Sequence, residues 1–434
     1  MNADLKNWQI LAYGMLGFPL AFAALPLYVY VPRLYVDSVG LPLTLVGALL
    51  LLTRFADALI DPLLGRWSDQ VGNRRRLIAL ALPLLAIGLV ALLAPPASAQ
   101  AIWLIGALVV TFLGYSLATI NYHAWGAELG ASSQQRVQVT SIREFCSLGG
   151  VVLAASLPAI LADDTATALQ FLAWLFVPLL AIAALITLRG TPVSATLPVS
   201  AATSTPWRIV FHDQCFRRLL IVLAVGGIAS AIPATLVLFF IADVLQLESW
   251  QGGFLAIYFV SGGLALPLWV KLAQRIGKVR AWSASMLLAI CSFVWAFFLP
   301  TGDGISFAII CAASGAALGA ELALPPALLA DRLADGRRDG KALGGAGAYF
   351  GIWNFVTKFN LALAAGIALP LVSLGGYHAT SMSVGAGDTL SSHGLLALAA
   401  VYALLPALIK AISLGLVWRW RDDLEGEKDA VLAI

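Results

Sequence analysis

Asp57 and Asp61 stand four residues apart in an otherwise apolar run, Arg54-Phe-Ala-Asp57-Ala-Leu-Ile-Asp61-Pro62. That spacing puts both carboxylates on one face of a helix, and Arg54, three residues before Asp57, is within reach of it. Two like charges this close repel each other unless a proton or a cation sits between them. The pair therefore suits a proton or sodium site. A second polar group follows: Asn121, Tyr122, His123 and Trp125, then Arg143 beside Glu144. An indole such as Trp125 stacks on the apolar face of a sugar ring or against an acyl chain. Arg143 donates a forked pair of hydrogen bonds to hydroxyls, a carboxylate or a phosphate. Later in the chain come Glu321, placed to line a cavity and to pair with Lys358 or Lys410, and the run Trp353-Asn354-Phe-Val-Thr357-Lys358. Lys358 can neutralise Asp57 and Asp61 when no cation is bound. For Lys410 the ordinary expectation is a side chain that snorkels to the membrane surface. Pro325-Pro326 removes backbone donors and is expected to break its helix as a gate hinge.

The surroundings make these charges informative. The 434-residue chain is 60% hydrophobic and 11% charged, with a mean hydropathy of +0.90. A soluble domain is about 45–50% apolar and about 25% charged, so lipid is the expected solvent for most of the chain. Each charge near the bilayer centre costs about 2.5–3.5 kcal/mol or more on insertion scales and calls for a partner or a task. A formal net charge of +3 matches a nucleic-acid binder poorly. Cys146, Cys215, Cys291 and Cys311 show no metal or disulfide spacing. There is no HExxH, Walker loop or nucleophile elbow, so neither catalytic residues nor a cofactor are expected. No ring of acids or Gly-rich filter suggests a channel. The N-terminus lacks the cleavage pattern of a signal peptide.

A helix crossing about 30 Å of hydrocarbon needs about 20 mostly apolar residues. Twelve candidates follow, at about 9–33, 40–65, 77–95, 101–127, 141–161, 168–188, 218–244, 250–272, 281–299, 305–330, 344–373 and 394–418. Helix is the expected state because backbone groups in lipid must be satisfied within the segment. Most of the 26 Lys and Arg fall in one set of connections, among them Arg74, Arg75, Arg136, Lys271 and Arg275. The opposite set has Arg33 alone, with Asp37, Asp163, Asp164 and Asp388. The positive-inside rule then places both termini in the cytoplasm, consistent with an even number of spans. A polar connection near 191–216 separates an N-terminal half, 1–190, from a C-terminal half, 217–434.

The second span is followed by Gly65-Arg-Trp-Ser-Asp69-Gln-Val-Gly72-Asn-Arg74-Arg75, and the eighth by a degraded relative ending Gly277-Lys278-Val-Arg280. Gly72 and Gly277 lie 205 residues apart, about half the chain, the weak symmetry expected of a transporter built from two halves. The first pattern resembles the loop 2–3 signature of the major facilitator superfamily. The resemblance implies an all-α membrane protein of twelve helices in two pseudo-symmetric six-helix halves. It also implies that Gly65, Asp69, Gly72, Arg74 and Arg75 brace the halves during transport.

Tyr13-Gly14, Arg54-x-x-Asp57-x-x-x-Asp61-Pro62, Asn121-x-x-x-Trp125, Arg143 and Lys358 together resemble the glycoside–pentoside–hexuronide:cation symporters, the melibiose-carrier-like family. The vertebrate sodium-dependent lysophospholipid carriers share a similar second span. The resemblance implies a coupling-cation site at Asp57, Asp61, Asn121 and Lys358. It implies solute contacts at Asn121, Trp125 and Arg143, and the polar residues Tyr122, Glu321, Asn354 and Thr357 complete the candidate solute site. It further implies a secondary symporter of the bacterial inner membrane, expected to act as a monomer among membrane lipids on a small solute. Departures are informative. Where the family's galactoside carriers place a first-span acid, this chain has Pro19-Leu20, and the family's fourth-span Asp is Asn121. Several sodium ligands are therefore missing, which favours a proton over sodium without settling the choice. A sugar- or glycoside-like solute is expected, with a lipid-like or amphipathic solute, or proton-driven export, as alternatives.

Overall fold

The computed structural model describes residues 5–96, 99–161, 165–192, 207–338, 345–377 and 392–425. Regular structure within them is helical: α1 (Asn7–Gly14), α2 (Gly17–Asp37), α3 (Leu43–Val71), α4 (Arg74–Leu93), α5 (Ala101–Leu129), α6 (Ser133–Leu161), α7 (Thr165–Gly190), α8 (Trp207–His212), α9 (Gln214–Phe239), α10 (Gln251–Ile276), α11 (Lys278–Ala296), α12 (Gly304–Arg338), α13 (Ala346–Leu374), α14 (Ser392–Ala399), α15 (Leu405–Arg419) and α16 (Arg421–Glu425). Five-residue π segments extend α9 (Phe240–Val244) and join α14 to α15 (Ala400–Leu404).

Eleven helical stretches among the described residues are long and apolar enough to cross a membrane. The remaining long helix, α3, has 29 residues and carries Arg54, Asp57 and Asp61 within its length. Together they account for the twelve expected spans. Lys341, Asp163, Asp164, Asp388 and most of the 191–216 connection lie outside the described residues.

Four expectations about the spans are corrected. The first span is interrupted at Met15–Leu16, between α1 and α2. Pro19 causes this: it lacks the N–H that would bond Met15 and its ring crowds that carbonyl. The fifth span begins at Ser133 rather than 141, so Arg143 lies well inside α6 rather than at its entry. The tenth runs to Arg338, carrying Asp331 and Arg332 on helix beyond the expected end near 330. Finally, α12 continues through Pro325-Pro326 without a break, as membrane helices can when local adjustment re-satisfies the freed backbone groups.

The chain forms two compact units, Met1–Phe216 with Pro326–Phe355, and Arg217–Pro325 with Val356–Ile434. The first unit thus takes the end of α12 and the start of α13. Its core gathers Tyr13, Phe22, Leu85, Phe112, Trp125 and Phe176. Small residues bring its helices close: a Cβ on Gly114 would stand 2.5 Å from Leu85 N, and one on Gly150 would stand 2.1 Å from Phe18 O. The core of the second unit centres on Phe240, stacked on Tyr402 with ring centroids 4.2 Å apart, and on Phe307. Large apolar side chains such as Ile102, Trp174, Leu264 and Trp295 point outward, as faces meeting hydrocarbon should.

Candidate functional site

Within the first unit, α3 presents Asp57 and Asp61 one turn apart. Asp57 is buried and accepts a hydrogen bond from Ser116 Oγ on α5 at 2.7 Å. Asp61 is fully buried where the start of α13 covers α3. There a Cβ on Gly351 would stand 2.6 Å from Asp61 O, and one on Gly65 would stand 2.1 Å from Gly347 O. Arg54 donates to Leu27 O on α2 at 3.3 Å. Ser116 was not singled out in the sequence. Its signal was a hydroxyl in a strongly apolar helix, but serines often satisfy themselves on the preceding turn.

The loop motif builds a second cluster around Arg74. The Arg74 guanidinium donates to Ser68 Oγ at 2.5 Å, to Asp69 Oδ1 at 2.5 Å and to Glu128 Oε1 at 3.2 Å. Asp69 also caps α13, accepting from Gly347 N at 2.8 Å and Ala348 N at 2.7 Å. The first amides of a helix lack the usual acceptor four residues back; Ala348 N shares its proton with Gly345 O at 3.2 Å, and the carboxylate complements the helix dipole. Gly72 closes α3 in the left-handed region, φ 68°, which glycine adopts without steric cost. Asn121 joins this cluster: Ser68 Oγ donates to its Oδ1, and its amide donates to Leu117 O at 2.8 Å. Its polar atoms are thus engaged with Ser68 and its own helix.

A third cluster is aromatic and basic. Tyr122 repairs the interruption of the first span. Its hydroxyl donates to Tyr13 O at 2.6 Å and accepts from Gly17 N at 3.2 Å, serving one backbone group on each side of the break. Tyr13 returns a bond from its own hydroxyl to Tyr122 O at 2.8 Å. Tyr122→Phe is therefore expected to leave two buried backbone groups unsatisfied, destabilising the protein by about 1–3 kcal/mol. Thermal unfolding in detergent reads this, and an unchanged midpoint would contradict it. Trp125 is fully buried, edge-on to Tyr13, with the Arg75 guanidinium 5.9 Å from its ring centroid. Arg143 is buried and directs Nε and Nη2 at Glu144 Oε1, at 2.8 and 2.6 Å. His123 meets Phe350 edge-on at 5.8 Å.

Asn354, from the part of α13 in the first unit, donates to Thr119 Oγ1 at 3.3 Å. The end of α12 is tied to the same unit by Arg136 to Asp331, and by Arg332, whose Nε reaches both Asp213 oxygens at 3.1 Å. Thr357 and Lys358 belong to the second unit, Thr357 exposed and Lys358 half-buried.

The second unit contains its own buried pair. Lys410 Nζ donates to Glu321 Oε2 and to Ser230 Oγ, both at 2.7 Å. Lys410 is 6% exposed, so the snorkelling expectation is overturned. A carboxylate and a hydroxyl inside the unit offer what the membrane surface would otherwise supply.

The many helices long and apolar enough to cross a membrane mark a multi-pass membrane protein, and its family makes it a transporter of the major facilitator fold and not an enzyme. The chain belongs to the MFS/sugar transport protein family, whose sequence pattern matches residues 11–422. It is 25% identical over 313 residues to the uncharacterized symporter YnaJ of Bacillus subtilis (strain 168), a match covering 66% of this chain and 66% of that one, just under two thirds. Among solved structures it resembles a bacterial homologue of the iron transporter ferroportin in an outward-facing state. That match has a TM-score of 0.68 at 16% identity, over 96% of this chain and 100% of the other. It also resembles the E. coli fucose:proton symporter, with a TM-score of 0.66 at 14% identity over 96% and 98%. At such identities these structures speak for the fold alone.

Proposed function

We propose that this protein is a cation-coupled symporter that moves a sugar- or glycoside-like solute across a bacterial inner membrane by alternating access, with both termini in the cytoplasm. The observation that carries the proposal is the pair of buried carboxylates one turn apart on α3, Asp57 held by Ser116 and Asp61 beneath α13. Buried acids inside a span are costly and mark ion or proton pathways. The coupling ion is a proton or sodium. The proton is favoured because it needs one carboxylate, whereas sodium needs several oxygens. The relative named as a symporter supports coupled rather than passive movement. The apolar Pro19-Leu20 stretch of the first span supports an amphipathic solute as the second reading.

The experiment is a ligand-induced thermal-shift screen of neutral sugars, uronates and lysolipids on the purified chain, with and without sodium at two pH values. A ligand present at about 100 times its dissociation constant adds about 2.7 kcal/mol of stability. A neutral sugar or glycoside is expected to raise the midpoint, by an amount that changes with pH or sodium. Stabilisation by lysolipids alone would overturn the sugar reading. A shift indifferent to both pH and sodium would overturn the coupling.

A further inference from the structure

Glu321 reaches from α12 into a polar cluster that lies wholly within the second unit. Lys410 on α15 directs its ammonium at Glu321 Oε2 and Ser230 Oγ, both at 2.7 Å, and at Gly226 O at 3.4 Å. Ser230 on α9 is itself 3.1 Å from Glu321 Oε2 and 3.2 Å from Gly226 O. The three ammonium protons are thus all directed at protein groups. The carboxylate is not matched in the same way. Glu321 Oε1 is buried and takes no hydrogen bond from any described residue, while the side chain as a whole keeps 16% of its surface exposed. Tyr258 on α10 is within electrostatic reach of it. The backbone approach there is close: a Cβ on Gly315 would stand 2.1 Å from Tyr258 O, and one on Gly319 would stand 2.5 Å from Gly262 O.

A buried polar atom without a partner calls for an explanation. An ionised carboxylate offers acceptors on both oxygens, and here one oxygen is used by Lys410 and Ser230 while the other is not. The open valence is therefore an acceptor. It fits a hydroxyl donor. An added carboxylate or phosphate fits poorly, because the ammonium is already engaged and the group it would meet is negative. A bracing role alone does not require an ion pair, since apolar residues of similar volume commonly replace one without loss of stability.

We propose that Ser230, Glu321 and Lys410 form a solute subsite in which Glu321 Oε1 accepts a hydroxyl of a neutral sugar or polyol. Glu321 touches the solute, and Lys410 and Ser230 are positioning residues that fix its carboxylate. The subsite rests on the sugar-transport reading and narrows it, because it selects neutral hydroxylated solutes against their uronates.

The test is equilibrium binding of D-glucose, D-xylose, D-glucuronate and lysophosphatidylcholine to the purified full-length chain. In Glu321→Met/Lys410→Met both charges go and the volume stays similar, so the variant is expected to keep its melting temperature. It is expected to bind the neutral sugar about tenfold more weakly or worse. Should that variant not fold, Glu321→Gln provides the readout. Its preference for neutral sugar over glucuronate is expected to fall about tenfold, a change that a purely structural role would not produce. Unchanged neutral-sugar affinity in the double variant, or unchanged preference in Glu321→Gln, overturns the subsite and leaves the sugar reading standing. If the unaltered chain binds glucuronate and no neutral sugar, the subsite falls while the sugar reading stands; if it binds the lysolipid alone, the sugar reading itself fails and the subsite falls with it.

Discussion

Asp57→Asn is expected to abolish cation-driven accumulation of solute while leaving the protein folded and inserted. Asparagine has nearly the same shape and keeps an oxygen for the hydrogen bond from Ser116 Oγ, 2.7 Å away. What it loses is the negative charge and the capacity to take up a proton. Coupling between two ligands is a free energy of about 1–3 kcal/mol, or about 5–150-fold in affinity. The substitution should erase that dependence, so that solute binding no longer changes with pH or sodium. Downhill exchange of solute across the membrane should survive. Vesicle uptake measured with and without an imposed gradient separates the two, and coupled uptake at the unaltered level would remove Asp57 from the cation site.

Asp69→Ala should have a large structural effect on the loop motif and on the start of α13. The carboxylate accepts from Gly347 N and Ala348 N and from the Arg74 guanidinium, with Arg74 and Asp69 side chains only 5% and 8% exposed. Its removal uncaps α13, worth about 0.5–2 kcal/mol. It also takes one partner from a buried arginine, and breaking such pairs typically costs about 3–5 kcal/mol. Glu128 and Ser68 remain on Arg74, so the loss should sit toward the lower part of that range. Amide exchange at the start of α13 should accelerate, most at Gly347 and Ala348. Asp69→Asn, which keeps the acceptor but not the charge, should fall between. Exchange at the native rate in Asp69→Ala would show that the cap does not secure α13.

Hydropathy located the spans because apolar run length reports lipid thickness. It missed the ends because helices continue into polar sequence. Ser133–Thr140 and Asp331–Arg338 are polar yet helical, and hydropathy cannot see past the membrane surface. Prolines were harder to weigh. Pro19 does interrupt the first span, whereas Pro325-Pro326 leaves α12 intact, although the two compact units part between those two prolines. Among the site residues, Asp57, Asp61, Glu321 and Lys410 were legible as charges in lipid. Lys410 was one of the two partners the sequence offered for Glu321, and the fold selects it, whereas Ser116, 59 residues from Asp57, carried no signal that set it apart from other serines. Asn121 and Tyr122 show the opposite case. Family spacing singles out Asn121, with Tyr122 beside it, but does not show their contacts in the fold, with Ser68 for one and the break in the first span for the other.

Solute uptake into proteoliposomes bearing an imposed proton or sodium gradient tests the central claim most directly, using the solute found by the thermal-shift screen. The account predicts transient accumulation above equilibrium under one of these gradients, abolished when that gradient is collapsed and in Asp57→Asn. Uptake that only ever equilibrates, whichever gradient is imposed, would contradict it.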